Sequence, residues 1–285
     1  MKKLSFILAM VLGTGMVMAQ KTTDLYQGGS GNYANITQTA SISNLDINTI
    51  NAVQAGSSNS LYTAQKGWDN NIDLKQTGSS NEAAMTQETG DLFLFTGKNT
   101  ANVVQGGGSS NYAKLTQSEE AGNGSDGFLL PEYDRSKNYA KATQSGDANT
   151  YVLNQGSQVK IPNNESYLVQ SGNGNYATID QKGIKNFSDI KQYANNNNSI
   201  LNQTGSDFLH TGTYDTSYSN QEGNNNGLTI TQTGEVDNQL AESIQNGTGN
   251  ETRINQVANT VQNVKSWQYN HDSIIIKQVD TITQL

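Results

Sequence analysis

The chain has 285 residues, of which 33% are hydrophobic and 15% charged, and its mean hydropathy is -0.64. Its net charge of -8 excludes the basic face that nucleic acid or an anionic surface requires. It has no cysteine, so neither a disulfide framework nor a thiolate metal site can hold it together.

The chain opens Met1-Lys2-Lys3, followed by an apolar run from Leu4 to Val17 that closes in Val17-Met18-Ala19. This predicts a secretory signal peptide over residues 1–19, because the run is shorter than the roughly 20 residues a membrane span needs. The chain from Gln20 onward is then exported. Asn, Gln, Gly, Ser and Thr dominate it. That composition alone suits a disordered tract, but a disordered tract has no reason to keep glutamine in register over its whole length.

The register begins at Gln27, Gly29, Asn32, Ala34 and Gln38. The smaller unit is Asn-x-Ψ-x-Ψ-x-Gln, with Ψ apolar or small, as in Asn48-Ile50-Ala52-Gln54 and Asn175-Ala177-Ile179-Gln181. Period two over seven residues predicts a β-strand with the four named positions on one face. The glutamines that end successive strands are Gln27, Gln38, Gln54, Gln65, Gln76, Gln87, Gln105, Gln117, Gln144 and Gln155. They continue as Gln170, Gln181, Gln192, Gln203, Gln221, Gln232, Gln245, Gln256, Gln268 and Gln278.

Taken in pairs, the spacing within a pair is 11 residues, except 12 at Gln105–Gln117 and 10 at Gln268–Gln278. Between pairs it runs from 11 to 27. One arc of nearly constant length alternates with one that accepts insertions. The predicted fold is therefore all-β, a β-solenoid of about ten turns with two strands per turn, about 48 Å tall at 4.8 Å per turn. Gly29, Gly56, Gly78, Gly146, Gly172, Gly223 and Gly247 lie two residues after the first glutamine of a turn, and Gly67 and Gly183 two after the second. Each supplies a positive φ at a tight corner.

Inward amides are costly unless paired. Stacked in register they can bond their equivalents above and below, as in cross-β ladders. The expected ladder and assembly residues are these glutamines and glycines together with Ala34 and the asparagines. The asparagines are Asn32, Asn48, Asn59, Asn70, Asn81, Asn111, Asn149, Asn175, Asn186, Asn197, Asn226 and Asn250.

The insertions share an apolar flavour: Asp91-Leu92-Phe93-Leu94-Phe95, Asp126-Gly127-Phe128-Leu129-Leu130 and Asp207-Phe208-Leu209. They read as loops tucked against the coil, or else as lateral contacts. Pro131 and Pro162 also fall between repeats. Tyr33, Tyr112, Tyr139 and Tyr176 each follow an asparagine, and parity puts them outside. The last turn departs from the pattern, with Gln262 and Asp272 in asparagine places and Ile274-Ile275-Ile276 apolar on both faces. It reads as a cap or as a docking end. Residues 279–285 form a short tail.

Gln-x-Gly-x-x-Asn-x-Ala-x-x-x-Gln, as in Gln27, Gly29, Asn32, Ala34 and Gln38, resembles the curlin repeat of curli fibre subunits, and the resemblance runs over residues 20–278. It implies a secreted bacterial subunit that stacks end to end into extracellular amyloid fibres (a pilus or fimbrium) of the biofilm matrix, supporting adhesion. The implied partners are further copies of itself, a related subunit as nucleator or co-polymer, and an outer-membrane secretion channel. The length and regularity fit the major subunit. Family repeats open with Ser six residues before the first Gln, whereas this chain has Asn48, Asn70, Asn99 and Asn138 there, so both strands of a turn look alike.

No enzyme is expected. His210 and His271 are far apart, no Cys/His metal cluster exists and no nucleophile elbow is visible. No cofactor, nucleic acid or small-molecule substrate is implied. The alternative is a monomeric β-solenoid adhesin or an ice- or glycan-binding protein, which outward Thr229, Thr231 and Thr233 would suit if such threonines formed a continuous rank.

Overall fold

A computed structural model describes residues 4–6, 20–39, 47–67, 69–89, 98–119, 137–157, 164–183, 185–204, 215–233, 239–257 and 262–279. The three apolar insertions, Pro131, Pro162, His210, the segment 7–19 with its expected cleavage point and the tail beyond Val279 lie outside them.

The described chain is a β-solenoid of two parallel sheets. One sheet has ten strands, from Tyr33–Thr39 to Ser273–Val279. The other has eleven, of which ten run from Gln20–Ser30 to Gln262–Tyr269. The strands alternate between the sheets along the sequence, so each turn contributes one strand to each, and ten turns result. The eleventh strand, Leu4–Phe6, lies antiparallel on the open edge of the first turn, with Leu4 opposite Leu25 and Phe6 opposite Thr23.

The register follows the glutamines throughout. In the first sheet Gln27 pairs with Gln54, then Gln76, Gln105, Gln144, Gln170, Gln192, Gln221, Gln245 and Gln268 in succession. In the second, Gln38 pairs with Gln65, and so on to Gln278. A slip of one residue would turn every buried side chain outward, which is why the period-two pattern fixes register so tightly. The extra residue between Gln105 and Gln117 is absorbed by a bulge: Gln76 pairs with Gln105 but Gly78 with Gly108.

Burial alternates along each strand, as in Asn186–Tyr193 and Gln239–Asn246. The core is two side chains deep. Large and small residues compensate across it: fully buried Tyr151 in the second sheet reaches Ser166 Oγ in the first at 3.0 Å. The hydrocarbon content also changes up the stack. One column of the first sheet reads Ala52, Leu74, Val103, Ala142, Leu168 and Ile190, then turns to Ser219, Ser243 and Ser266. The last three turns therefore bury less apolar surface and depend more on their amides.

Candidate assembly ladders

Glutamine is the last inward side chain of the repeated strand pattern, one to four residues before the observed strand ends, so its amide lies at a corner of the coil within reach of both the next turn and the facing strand. Its two amide hydrogens use both options. Gln54 Nε2 donates to Gln76 Oε1 at 2.8 Å along the axis and to the Tyr33 carbonyl at 3.0 Å across the core. The axial bond recurs from Gln27 to Gln268 in the first sheet, at 2.6–2.9 Å. It recurs from Gln38 to Gln278 in the second, at 2.8–3.3 Å. Every donor points toward the C-terminal end. The transverse bond typically ends on the carbonyl that follows an asparagine place, as in Gln76 to Ser60, Gln144 to Tyr112 and Gln170 to Thr150, while Gln203, Gln221 and Gln232 also reach the carbonyl of the asparagine place itself. Asparagine, one methylene shorter, could not span both.

Asparagine starts the strand after an arc and fastens that arc. In the column Asn32, Asn59, Asn81, Asn111, Asn149, Asn175, Asn197, Asn226 and Asn250, each Oδ1 accepts the backbone N–H of the next member, at 3.0–3.1 Å. The column ends on Asp272, whose N–H lies 3.2 Å from Asn250 Oδ1. Asn149 Nδ2 donates back to Ser145 O at 3.0 Å and up to Gly172 O at 2.8 Å. The opposite corner carries Asn48, Asn70, Asn99 and Asn138, then Asn164 and Asn186, joined by bonds such as Asn70 N–H to Asn48 Oδ1. Asp215, Gln239 and Gln262 take over these places in the last three turns. Ala34 packs at the half-buried first turn.

Between the two, the arc glycines stack directly. Gly56 has φ 114°, and a Cβ there would overlap the carbonyl oxygen of Gly78 one turn up. Gly29, Gly78, Gly146, Gly172, Gly223 and Gly247 also have positive φ, as do Gly67 and Gly183 on the opposite arc. The arc of the last turn is a residue shorter and is made by Asn270 and His271, both at φ 56°.

Two features escape a reading by parity. An outer ladder runs along the arc, where Asp147 Oδ1 accepts Ser109 N–H at 2.7 Å, Asn173 Oδ1 accepts Asp147 N–H and Asn195 Oδ1 accepts Asn173 N–H. The residue after each arc glycine, as in Gly146-Asp147 and Gly172-Asn173, was its signal. Ser109 N–H and Oγ hold the Asp147 carboxyl below the usual carboxylate range. The second feature is a row of rings on the outer face: Tyr139, Tyr167, Phe187 and Tyr218, with centroids 5.5–5.7 Å apart. It is diagonal to the strand register, so no fixed spacing from an asparagine announces it. The outward threonines form no such row, since Thr229 stacks between Ile200 and Arg253.

Residues 67–92 and 172–205 match the model of a family described as the curlin associated repeat. The described residues of both stretches lie within the solenoid turns. The search of curated proteins found no match.

Proposed function

We propose that this curlin-repeat chain is the structural subunit of an extracellular curli-like amyloid fibre, exported by its signal peptide and growing by end-to-end stacking of solenoids. Residues 1–19 are read as the signal peptide, 20–278 as the repeat body and 279–285 as a tail. The ladder residues are the assembly machinery rather than a site for a small molecule.

One observation carries this reading: the glutamine ladders recur from turn to turn, and among the described residues no further turn covers either end, the first turn's edge carrying only the short strand Leu4–Phe6. Gln27 and Gln38 have partners above and no turn below, while Gln268 and Gln278 have partners below and no turn above. An unpaired strand edge is normally a liability. Two unlike edges at opposite ends of one molecule make a heterologous contact, which adds subunits without closing into a ring. Matrix building and adhesion follow for such a fibre, as do a related nucleating subunit and a secretion channel. The regularity of the turns favours the major role.

The test is to dilute the chain from Gln20 onward out of denaturant and follow thioflavin fluorescence with electron microscopy. Fibres with a cross-β repeat near 4.8 Å are expected. A chain that stays monomeric for days would remove the reading.

A further inference from the structure

The two ends of the solenoid differ in composition as well as in position, and their differences match. The proposal rests on the end-to-end reading above and specifies its joint. We infer that the last turn of one copy docks on the first turn of the next with Gln268 under Gln27 and Gln278 under Gln38, held by an inter-copy ion pair between Lys265 and Asp24. The occupant of each open end is a second copy of this chain.

Continuing the glutamine register by one step sets every pair. In the first sheet Gln262 meets Lys21, Lys265 meets Asp24, Ser266 meets Leu25, Trp267 meets Tyr26 and Gln268 meets Gln27. In the second, Asp272 meets Asn32, Ile274 meets Ala34, Ile276 meets Ile36 and Gln278 meets Gln38.

Lys265 and Asp24 end the same outward column, which runs Asp24, Asn51, Asp73, Asn102, Lys141, Tyr167, Asp189, Tyr218, Glu242, Lys265. Lys265 Nζ already lies 2.7 Å from Glu242 below it. In the joint it stands between two carboxylates, one from each copy.

Among the described residues, Gln262 Oε1 is buried without a hydrogen-bond partner. The Lys21 ammonium at the matching place has three hydrogens and donates one to Gln38 O at 2.9 Å. The joint supplies the missing donor. Asp272 takes the asparagine place at the top of its column, where each lower member accepts the N–H of the member above. A carboxylate there accepts the N–H of the incoming Asn32 as a charge-assisted bond.

The apolar groups agree. Trp267 is 60% exposed and Tyr26 half-buried, and the register puts one ring on the other. Ile274 and Ile276 are half-buried at the upper end, and Ala34 and Ile36 at the lower, whereas their equivalents in interior turns are buried. Small Ser266 meets large Leu25. A shift of two residues along the strand keeps the faces but places Lys265 against Thr22 or Tyr26 and loses the ion pair. That the first-turn edge accepts a strand is visible in Leu4–Phe6, which pairs with it in the uncleaved chain. Cleavage after Ala19 would bare it.

The chain has no native cysteine, so disulfides can read the register. Chains from Gln20 onward carrying both Thr22→Cys and Asn263→Cys would be assembled under reduction, then oxidised. Both positions face outward, and the joint sets them opposite each other in adjacent strands, within reach of a disulfide. The control pairs Thr22→Cys with Trp267→Cys, four residues out of register. The expected result is a ladder of covalent multimers from the first variant and monomers from the second. In parallel, Asp24→Lys is expected to slow elongation about tenfold at low salt, with Lys265→Asp in the same chain restoring it. Fibres that form without cross-linking at 22/263, or that cross-link at 22/267 instead, overturn this joint and leave the fibre reading standing. Absence of fibres from the unmodified chain overturns both.

Discussion

Gln144 donates one amide hydrogen to Gln170 Oε1 at 2.9 Å and the other to the Tyr112 carbonyl at 3.1 Å, and it accepts from Gln105 at 2.9 Å. Its side chain is completely buried. Gln144→Leu strands three polar groups away from water, each worth about 1–3 kcal/mol, so a loss of about 3 kcal/mol or more is expected. Gln144→Glu should be worse at neutral pH, because a buried carboxylate would face the oxygens of Gln170 and Tyr112. Burial raises that carboxyl's folded pKa, so stability should recover as pH falls through it. Urea midpoints of the two variants at pH 7 and 4, taken before assembly, check both statements. Equal midpoints at the two pH values for Gln144→Glu would contradict the second.

Glycine matters where turns touch and less where they do not. Gly56→Ala adds a Cβ against the Gly78 carbonyl at φ 114°, so the arc must open and the ladder above it shift. Gly107 also has positive φ, 73°, but among the described residues nothing lies within 4 Å of a Cβ built there. Gly107→Ala should cost about 1–2 kcal/mol from backbone strain alone, and Gly56→Ala clearly more. Thermal unfolding of the pair decides it, and the reverse order would mean the arcs stack loosely.

The outer ladder has a pH dependence of known sign. The Asp147 carboxyl is held low by Ser109, so its contribution is present above the ordinary value of about 3.9 and is lost as pH falls through the lower folded value. The exchange protection factor of the Ser109 amide should drop over that window. In Asp147→Asn, which takes the chemistry of Asn173 and Asn195 in the same column, it should not. A drop of equal size in the variant would assign the effect elsewhere.

Tyr151 and Ser166 bond to each other at 3.0 Å inside the core. Tyr151→Phe leaves the Ser166 hydroxyl unpaired and should cost about 1–2 kcal/mol. Adding Ser166→Ala should return most of it, a coupling that a double-mutant cycle measures. Burial pushes the Tyr151 phenol well above its ordinary value near 10. The folded state thus resists losing that proton, and stability should fall as pH rises beyond 10. Tyr151→Phe removes this contribution to alkaline unfolding. An unchanged alkaline limb would deny it.

The architecture was legible because one residue type recurs at a geometric corner. Twenty glutamines specify twenty strands, and the constancy of one arc specifies two strands per turn. Gln105–Gln117 even announced its bulge, as a 12 among 11s. Direction was not legible. Composition cannot say that each glutamine gives its axial hydrogen toward the C-terminus, or that its other hydrogen crosses to a particular carbonyl. The Tyr139–Tyr218 row was hidden because its rings alternate between five and three residues before the glutamine of their strand, a zigzag that shows only once the strands are stacked. The exchange of Leu74 and Ile190 for Ser219, Ser243 and Ser266 was present in the letters, but it acquires meaning only once those residues are stacked.

Because both sheets are parallel, the second strands of the turns all end on the flank of the solenoid where the first strands of the next turns begin. Within the stack, each strand is bonded to its neighbours above and below through backbone and amides, whichever way the chain travels between them. Continuity of the covalent chain is then dispensable at those crossings. A protease that cuts in residues 120–136 should yield two fragments on a denaturing gel and one undivided particle in solution, so the material can be nicked at many places and still bear load.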